Sequence, residues 1–218
     1  MNNMYEGVKT INFLAGKCPH DCVYCSSKSF RYDAQKKKYS GELRLDENAF
    51  KKNLGHGNIW FVCAQNDLFA NGVPEDFIHR IYNQIEKYPD NIYWFQSKNP
   101  KKMYEWARSH YVYGTTIETN RDYDLSVAPK VEERIEYMAR LRSRADKTFI
   151  TIEPIADFGV KPLLRLISGA NPDWVNIGAD SKRHGLPEPS KSEILELIKR
   201  LKEFTEVRQK TNLGRLLK

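Results

Sequence analysis

The 218-residue sequence has only four cysteines, no long apolar run and no glycine-rich dinucleotide motif after a candidate strand. Four cysteines in a chain of this length do not make the disulfide framework of a small secreted domain. No apolar stretch approaches the roughly 20 residues that are needed to span a bilayer. The first residues also lack the basic and then apolar pattern of a secretion signal. We therefore expect one globular domain over residues 1–218, in the reducing cytoplasm and without a membrane anchor.

Lysine and arginine outnumber aspartate and glutamate by 35 to 28, which gives a net charge of +7. This balance permits contact with nucleic acid or another polyanion but does not require it. Much of the excess lies in a basic insertion at 26–46 and in a basic C-terminal tail at 206–218. In the insertion, Phe30 or Tyr32 could stack on a base. The candidate phosphate contacts are Lys28, Arg31, Lys36, Lys37 and Lys38. The alternative is a solvated loop and a solvated tail.

Three of the cysteines lie within eight residues, at Cys18, Cys22 and Cys25, with the spacing C-x3-C-x2-C. A closed zinc site needs four protein ligands, and four cysteines are also the rule for a [4Fe–4S] cluster. Three thiolates leave one coordination position open, which is typical of a catalytic metal site. The alternatives are half of a zinc site completed by His20 or a distant histidine, and a thioredoxin-type redox pair. Neither accounts for Cys18 together with the rest of the chain.

Short apolar and aromatic runs alternate with helical patterns, which predicts βα units around a parallel sheet. The helical pattern that Pro74 opens has a stripe from Phe77 to Ile85, and Ser190 with Glu193 forms a capping box for the last helix. The six predicted strands cover residues 8–14, 58–63, 91–95, 112–117, 148–152 and 174–177.

Each predicted strand ends in polar side chains, such as Gln65-Asn66-Asp67, Ser97-Lys98 and Ala179-Asp180-Ser181. In βα barrels the active site is assembled at the C-terminal ends of several strands. A doubly wound sheet would instead concentrate its ligands at one switch point. The sequence therefore predicts an α/β fold, a partial (βα)6 TIM-like barrel with its active site at the C-terminal face.

The cysteine spacing, with the aromatic Tyr24 just before the last cysteine, resembles the radical S-adenosylmethionine (radical SAM) superfamily. Four further segments occur in order and look like a phage-associated radical SAM family allied to spore photoproduct lyase. They begin at Phe61, Gly114, Ile150 and Asp173. The resemblance implies the radical SAM core fold, a [4Fe–4S] cluster and SAM as cofactors. It also implies reductive cleavage of SAM to a 5′-deoxyadenosyl radical that abstracts hydrogen from a substrate.

By the same resemblance, Cys18, Cys22 and Cys25 hold the cluster and leave one iron for SAM. Tyr24 would lie against the adenine, and Glu118 would bridge the ribose hydroxyls. The family commonly has Gly-Gly-Glu at the end of the second strand to bind the SAM amino group. This chain has Gln65, Asn66 and Asp67 there, and which of them reaches the ammonium stays open. The remaining expected contacts are Ser97 and Lys98 to the SAM carboxylate and Glu153 near the adenine. For each of these polar residues, the alternative is a structural role in a loop.

Cys63 ends the second predicted strand and is a candidate hydrogen donor to a product radical, as in spore photoproduct lyases. The alternative is a small buried residue in a strand. The expected partners are SAM and an external one-electron reductant such as flavodoxin or ferredoxin. The hypothesis for the substrate is nucleic acid or a nucleotide, and the alternatives are a peptide or a small metabolite. The alternative function is a non-catalytic iron–sulfur or zinc protein that binds nucleic acid.

Overall fold

The computed structural model describes residues 5–218. Over this range it contains nine strands and seven α helices. The strands are β1 Val8–Ile11, β2 Leu14–Ala15, β3 Arg44–Leu45, β4 Ile59–Val62, β5 Ile92–Gln96, β6 Val112–Thr116, β7 Lys147–Ile152, β8 Trp174–Ile177 and β9 Glu206–Gln209. The helices are α1 Asp33–Lys38, α2 Glu47–Phe50, α3 Glu75–Ile85, α4 Pro100–Glu105, α5 Val131–Leu141, α6 Val160–Ala170 and α7 Lys191–Leu201.

Seven strands form one parallel sheet in the order β1-β4-β5-β6-β7-β8-β9, which curls into a half-barrel with helices around it. Strands β2 and β3 form a separate antiparallel pair. Every neighbouring pair in the large sheet is parallel, so all seven C-terminal ends lie at one edge. This architecture confirms the predicted α/β partial barrel and places its strand ends together.

All six predicted strands form, because their β-branched and aromatic residues pack on a sheet that is covered on both faces. The predicted first strand is shorter than expected. It ends at Ile11, and the chain leaves the large sheet to form β2 at Leu14. The predicted stripe of α3 is also observed, with Ile78, Ile81 and Ile85 buried. The capping box of Ser190 and Glu193 begins α7 as expected.

The C-terminal segment 206–218 is not the solvated tail that the sequence suggested. Its first residues form β9, which pairs with β8 in the register Trp174 to Glu206. A 3₁₀ turn over Thr211–Arg215 follows and buries Leu213 completely. The strand was missed because its four residues contain one apolar side chain, Val207, so no periodic pattern marks it.

The basic insertion 26–46 contains a 3₁₀ turn over Ser26–Ser29, then α1 and β3. Neither helical piece has a buried residue, so the segment is ordered by backbone hydrogen bonds and surface contacts. No helix within residues 5–218 is long and apolar enough to cross a membrane.

Candidate metal and cofactor site

The cysteine loop (residues 16–25) follows β2 and begins at a glycine that no other residue could replace. Gly16 has a φ of +91°, and a Cβ there would lie 2.1 Å from the carbonyl oxygen of Glu42. The Gly16 and Lys17 N–H groups donate to Lys38 O and Gly41 O, at 2.8 and 3.0 Å. The cysteine loop is therefore fixed against the basic insertion by its own backbone.

All three cysteines of the loop line one small space, the inner cavity, with a volume of about 140 Å³. Strand-end residues of β4 and β5 form its other wall, including Asn66, Asp67 and Ser97. Cys22 and Cys25 also line a large cavity of about 430 Å³. The predicted site residues on the wall of the large cavity are Tyr24, Gln65, Lys98 and Glu153. The structure therefore brings together every predicted site residue except Glu118 around two adjoining cavities.

The three cysteines surround the inner cavity without converging on one point. Within the described residues, no group of three or more His, Cys, Asp or Glu side chains could hold a single metal ion. A zinc site requires such convergence, because all its ligands bind the same ion. An iron–sulfur cluster does not, since each thiolate binds a different iron atom. The donor set of three thiols around one shared space therefore fits a cluster better than a zinc ion.

Cys18 is partly buried and lies close to Asp67. Burial, together with the charge of Asp67, raises the pKa of Cys18 to about 11. Without metal this thiol is protonated at neutral pH, so metal binding must release its proton.

Lys98 joins the cysteine loop to a buried ion-pair network behind it. Its Nζ lies 2.9 Å from Cys22 Sγ and 2.7 Å from Glu118 Oε1, and it also contacts the Tyr24 hydroxyl. The other carboxylate oxygen of Glu118 accepts from Arg134 at 2.9 Å. Burial alone would raise the pKa of Glu118, but Lys98 and Arg134 lower it to about 2. Both oxygens of Glu118 are thus occupied by protein cations, and the side chain does not reach the large cavity.

Tyr24 lines the large cavity. Its hydroxyl contacts Glu118, and the Lys98 ammonium lies 4.4 Å from its ring centroid. Burial and the charges of Glu118 and Cys22 raise the pKa of Tyr24 well above its usual value. The network fixes the ring in one orientation, so its position next to Cys22 and Cys25 is preset.

Gln65, Asn66 and Asp67, in the loop after β4, differ in their hydrogen bonds. Burial would raise the pKa of Asp67, but His20 and the Lys98 N–H, which donates at 2.7 Å, hold it below its usual range. Gln65 Oε1 accepts from Ser26 at 3.3 Å. Asn66 donates to the carbonyl of Gly16 at 3.0 Å, but its buried Oδ1 has no partner in the part of the chain described. Of these three residues, Asn66 is the one whose side chain has a buried acceptor without a partner among the described residues, so this acceptor is available to a ligand.

Glu153 lines the large cavity at the end of β7 and is held from the C-terminal segment. Lys210 Nζ lies 2.5 Å from its Oε1, and Asn212 contacts the same oxygen at 3.4 Å. Gly178 gives the carboxylate its space, since a Cβ there would lie 2.8 Å from Glu153 Cδ. Glu153 is therefore held in position by residues that follow β8 and β9.

Cys63 directly follows β4 and has a left-handed backbone conformation, with a φ of +58°. The residue lines the inner cavity with the three loop cysteines and is only 4% exposed. Burial raises the pKa of its thiol to about 12, although the backbone N–H groups of Phe13 and Leu14 act in the opposite direction. At neutral pH Cys63 therefore keeps its S–H bond, the form that a hydrogen donor needs.

Sequence reasoning missed several residues of the large cavity. Tyr5 stacks on Phe61 with ring centroids 5.8 Å apart, and both rings line the wall. On the opposite side, His184 Nδ1 lies 2.7 Å from Asp180 Oδ1. Lys182 and Lys210 also line this side. Asp180 had a signal, because it follows a predicted strand. Lys210 had none, because β9 itself was not predicted.

The basic insertion lies on the other side of the cysteine loop. Lys28 and Lys36, with Lys17, line an outer cavity of about 320 Å³ that also contacts all three cysteines. Among the described residues that line the large cavity, none comes from 28–39. Three of the five candidate phosphate contacts are paired with acids. The pairs are Lys28 with Asp21, Lys36 with Asp33 and Lys38 with Asp46.

Comparison with known proteins places this geometry in a family. The family model described as "Protein of unknown function (DUF5131)" matches residues 7–191, which include the cysteine loop and six strands of the large sheet. This chain belongs to the DUF5131 family. No match was found among curated proteins.

Solved structures similar to this family member include those of spore photoproduct lyase. A cysteine-to-serine mutant of that enzyme is 10% identical, with a TM-score of 0.63, and the match covers 92% of this chain and 75% of that one. A double mutant with bound AdoMet and dinucleoside spore photoproduct is 12% identical, with a TM-score of 0.55 and coverage of 89% and 61%. At this identity the similarity shows a shared half-barrel fold.

Proposed function

We propose that this chain is a radical SAM enzyme. The observation that carries the proposal is the inner cavity, where three cysteines with a radical SAM spacing face the ends of β4 and β5. Cys18, Cys22 and Cys25 would hold a [4Fe–4S] cluster, and the protein offers it no fourth thiolate from the loop. When bound, the cluster and SAM supply reductive cleavage to a 5′-deoxyadenosyl radical, which abstracts hydrogen from the substrate.

The residues around the two cavities would bind and orient SAM. Asn66 Oδ1 is the acceptor we assign to the SAM ammonium, because it is buried and unpaired within residues 5–218. Tyr24 and Glu153 line the large cavity, where the adenosine would lie, and Ser97 and Lys98 lie close to the cysteines. The role of Glu118 would be to hold Lys98 and Tyr24 in place, which leaves ribose binding to other groups.

The decisive experiment is anaerobic reconstitution with iron and sulfide, followed by reduction with dithionite in the presence of SAM. We expect 5′-deoxyadenosine to be released. Cys18→Ala, Cys22→Ala and Cys25→Ala should each lose the cluster and this product, because two thiolates cannot hold the cube. Cys63→Ala is the matched control and should keep both iron content and SAM cleavage. Wild-type iron content in any loop variant, or a full cluster without SAM cleavage, would contradict the proposal.

Asn66 offers a test that does not depend on turnover. Asn66→Leu should weaken SAM binding to the reconstituted protein by roughly tenfold or more, since a hydrogen bond to a charged group contributes about 1.5–3 kcal/mol. Isothermal titration calorimetry measures this change, and Gln65→Leu is the neighbouring control. A larger loss in Gln65→Leu than in Asn66→Leu would reassign the contact.

The non-catalytic alternative makes a different prediction from the same preparation. A structural iron–sulfur or zinc site would have full protein ligation, so SAM would not change its electron paramagnetic resonance spectrum. The lack of a convergent ligand group in the described residues disfavours the zinc version. Metal analysis and the effect of SAM on the reduced cluster spectrum separate the two functions.

The substrate class that we propose is nucleic acid or a nucleotide. The fold is shared with structures whose names state bound dinucleoside spore photoproduct. The large cavity and a C-terminal cavity of about 520 Å³ share the lining residues Asp180 and Ser181. Its basic wall includes Lys182 in the large cavity and Arg183 and Lys218 in the C-terminal one. Cations along the groove that these two neighbouring cavities would form suit a phosphate backbone. In this proposal Cys63 returns the hydrogen atom, which Cys63→Ala would reveal as an altered product pattern with SAM cleavage intact.

A further inference from the structure

Lys98 donates a charged hydrogen bond to one of the three loop cysteines. Its Nζ lies 2.9 Å from Cys22 Sγ and 2.7 Å from Glu118 Oε1, and it also contacts the Tyr24 hydroxyl. A lysine ammonium has three N–H bonds, so these three contacts use all of them. In this arrangement Lys98 has no N–H bond left for the carboxylate of SAM. Its position therefore indicates a role toward the Cys22 sulfur.

Lys98 belongs to a buried charge group that contains one more cation than anions. The group consists of Lys98, Glu118 and Arg134, whose side chains are 9%, 3% and 6% exposed. Arg134 lies 2.9 Å from Glu118 Oε2, and its Nε donates to the carbonyl oxygen of Pro129 at 2.7 Å. Two cations with one carboxylate leave a net positive charge beside Cys22. Because solvent screens buried charges weakly, this charge acts on Cys22 more strongly than a surface lysine would.

A second loop cysteine has an uncharged donor. Ser27 Oγ lies 2.9 Å from Cys25 Sγ, in the 3₁₀ turn that directly follows this cysteine. In the metal-free protein either atom could be the donor. A thiolate that is bound to iron has no hydrogen, so the Ser27 hydroxyl must then donate. Two of the three thiols therefore have preset donors of unequal strength, an ammonium for Cys22 and a hydroxyl for Cys25.

We propose that Lys98 and Ser27 set the reduction potential of the iron–sulfur cluster, with the larger contribution from Lys98. This inference rests on the proposed radical SAM function. Reduction adds one electron to a cluster that three negatively charged thiolates already hold. Positive charge nearby and hydrogen bonds to the sulfur atoms both stabilise the reduced form of such clusters. Lys98 and Ser27 would therefore raise the potential and make the cluster easier to reduce.

The test is a redox titration of the reconstituted protein without SAM, reduced stepwise with dithionite and followed by electron paramagnetic resonance. Lys98→Met removes the ammonium and keeps a side chain of similar length. We expect it to lower the equilibrium constant for one-electron reduction by roughly tenfold or more, and tenfold corresponds to about 59 mV. Ser27→Ala should lower the constant by roughly two- to threefold, because a neutral donor is weaker than a charged one.

The matched control is Lys28→Met. This change removes the same charge close to the cysteine loop, but from an ion pair with Asp21 in which both side chains are more than 40% exposed. Solvent screens such a pair strongly, so the reduction constant should stay within about twofold of wild type. A shift in Lys28→Met as large as that in Lys98→Met would overturn the role of the buried charge group.

Glu118→Gln separates the effect of charge from a general loss of structure. It removes the carboxylate of the buried charge group and so increases the net positive charge beside Cys22. We expect it to raise the equilibrium constant for reduction, in the opposite direction from Lys98→Met. A general disturbance of the site would instead move both variants in the same direction. Iron content is measured for each variant before its titration.

The inference and the proposed function fail in different ways. An unchanged potential in Lys98→Met, or an unchanged or lower potential in Glu118→Gln, would overturn the inference. If Lys98→Met holds no cluster, the opposite shifts expected for Ser27→Ala and Glu118→Gln decide the matter. A weaker SAM affinity in Lys98→Met with a wild-type potential would make Lys98 a SAM ligand and the inference wrong. A wild-type protein that assembles no cluster, or whose reduced cluster cleaves no SAM, would instead defeat the proposed function.

Discussion

The basic insertion 26–46 and the C-terminal segment 206–218 are both rich in lysine and arginine, but they have different relations to the fold. The insertion buries no side chain in its helical pieces and lies outside the cysteine loop. The C-terminal segment adds an edge strand, buries Leu213 and sends Lys210 into the large cavity. A basic segment in the sequence therefore does not by itself indicate which cavity its residues will line.

The difference arises from what each segment pairs with. The insertion forms backbone hydrogen bonds with the cysteine loop, and its strand β3 pairs with β2. Its position therefore depends on the cysteine loop. The C-terminal segment forms its backbone hydrogen bonds with β8, because β9 pairs in parallel with the edge of that strand. The first segment is thus a surface feature of the cysteine loop, and the second is part of the half-barrel wall.

The largest effect expected from this comparison is on stability. Leu213→Ala should lower the free energy of unfolding by about 2–5 kcal/mol, because it removes a fully buried side chain. Tyr32→Ala, in the insertion, should change it by less than about 0.5 kcal/mol, since Tyr32 is 74% exposed. Urea denaturation of the metal-free proteins measures both. Similar changes in the free energy of unfolding for the two variants would contradict the view that the C-terminal segment is part of the half-barrel wall and the insertion a surface feature.

The same two segments show which features of the structure could be predicted from the sequence. The six apolar strands followed from residue pattern, because burial selects β-branched and aromatic residues. The spacing of Cys18, Cys22 and Cys25 placed the three thiols in one loop, and their role as cluster ligands stays a prediction. Strand β9 could not be predicted, since its residues read Glu-Val-Arg-Gln and the edge of β8 determines their conformation. The pairing of Lys38 with Asp46 and of Lys210 with Glu153 was equally hidden, because these contacts depend on tertiary position.

A second prediction concerns nucleic-acid binding at two salt concentrations. Lys182→Gln/Lys218→Gln, in the groove, should weaken binding of short single-stranded DNA or RNA by roughly 10-fold and reduce its salt dependence. Changing Lys36, Lys37 and Lys38 to Ala should leave the affinity within about twofold of wild type. The reverse result would move the substrate surface to the insertion, and no binding at low salt with cluster and SAM present would exclude a nucleic-acid substrate.

The smallest effect compares two partly buried ion pairs, one in each segment. The side chains of Lys210 and Glu153 are 33% and 15% exposed, and those of Lys38 and Asp46 are 36% and 20% exposed. Lys210→Ala and Lys38→Ala should therefore each lower the free energy of unfolding by about 1 kcal/mol or less. Only Lys210→Ala should alter SAM affinity, by about fivefold, the equivalent of roughly 1 kcal/mol. Calorimetry checks both, and an equal shift in SAM affinity would contradict the assignment.

The left-handed backbone at Cys63 determines the direction of its Cα–Cβ bond. A residue with a Cβ loses roughly 1–2 kcal/mol in this conformation, which glycine adopts without strain. The Cys63 N–H donates to Ile11 O at 2.7 Å, so the neighbouring strand holds the backbone in place. Replacement by glycine should therefore make the protein more stable than replacement by alanine. The main-chain geometry therefore fixes the direction of the Cα–Cβ bond that carries this sulfur atom.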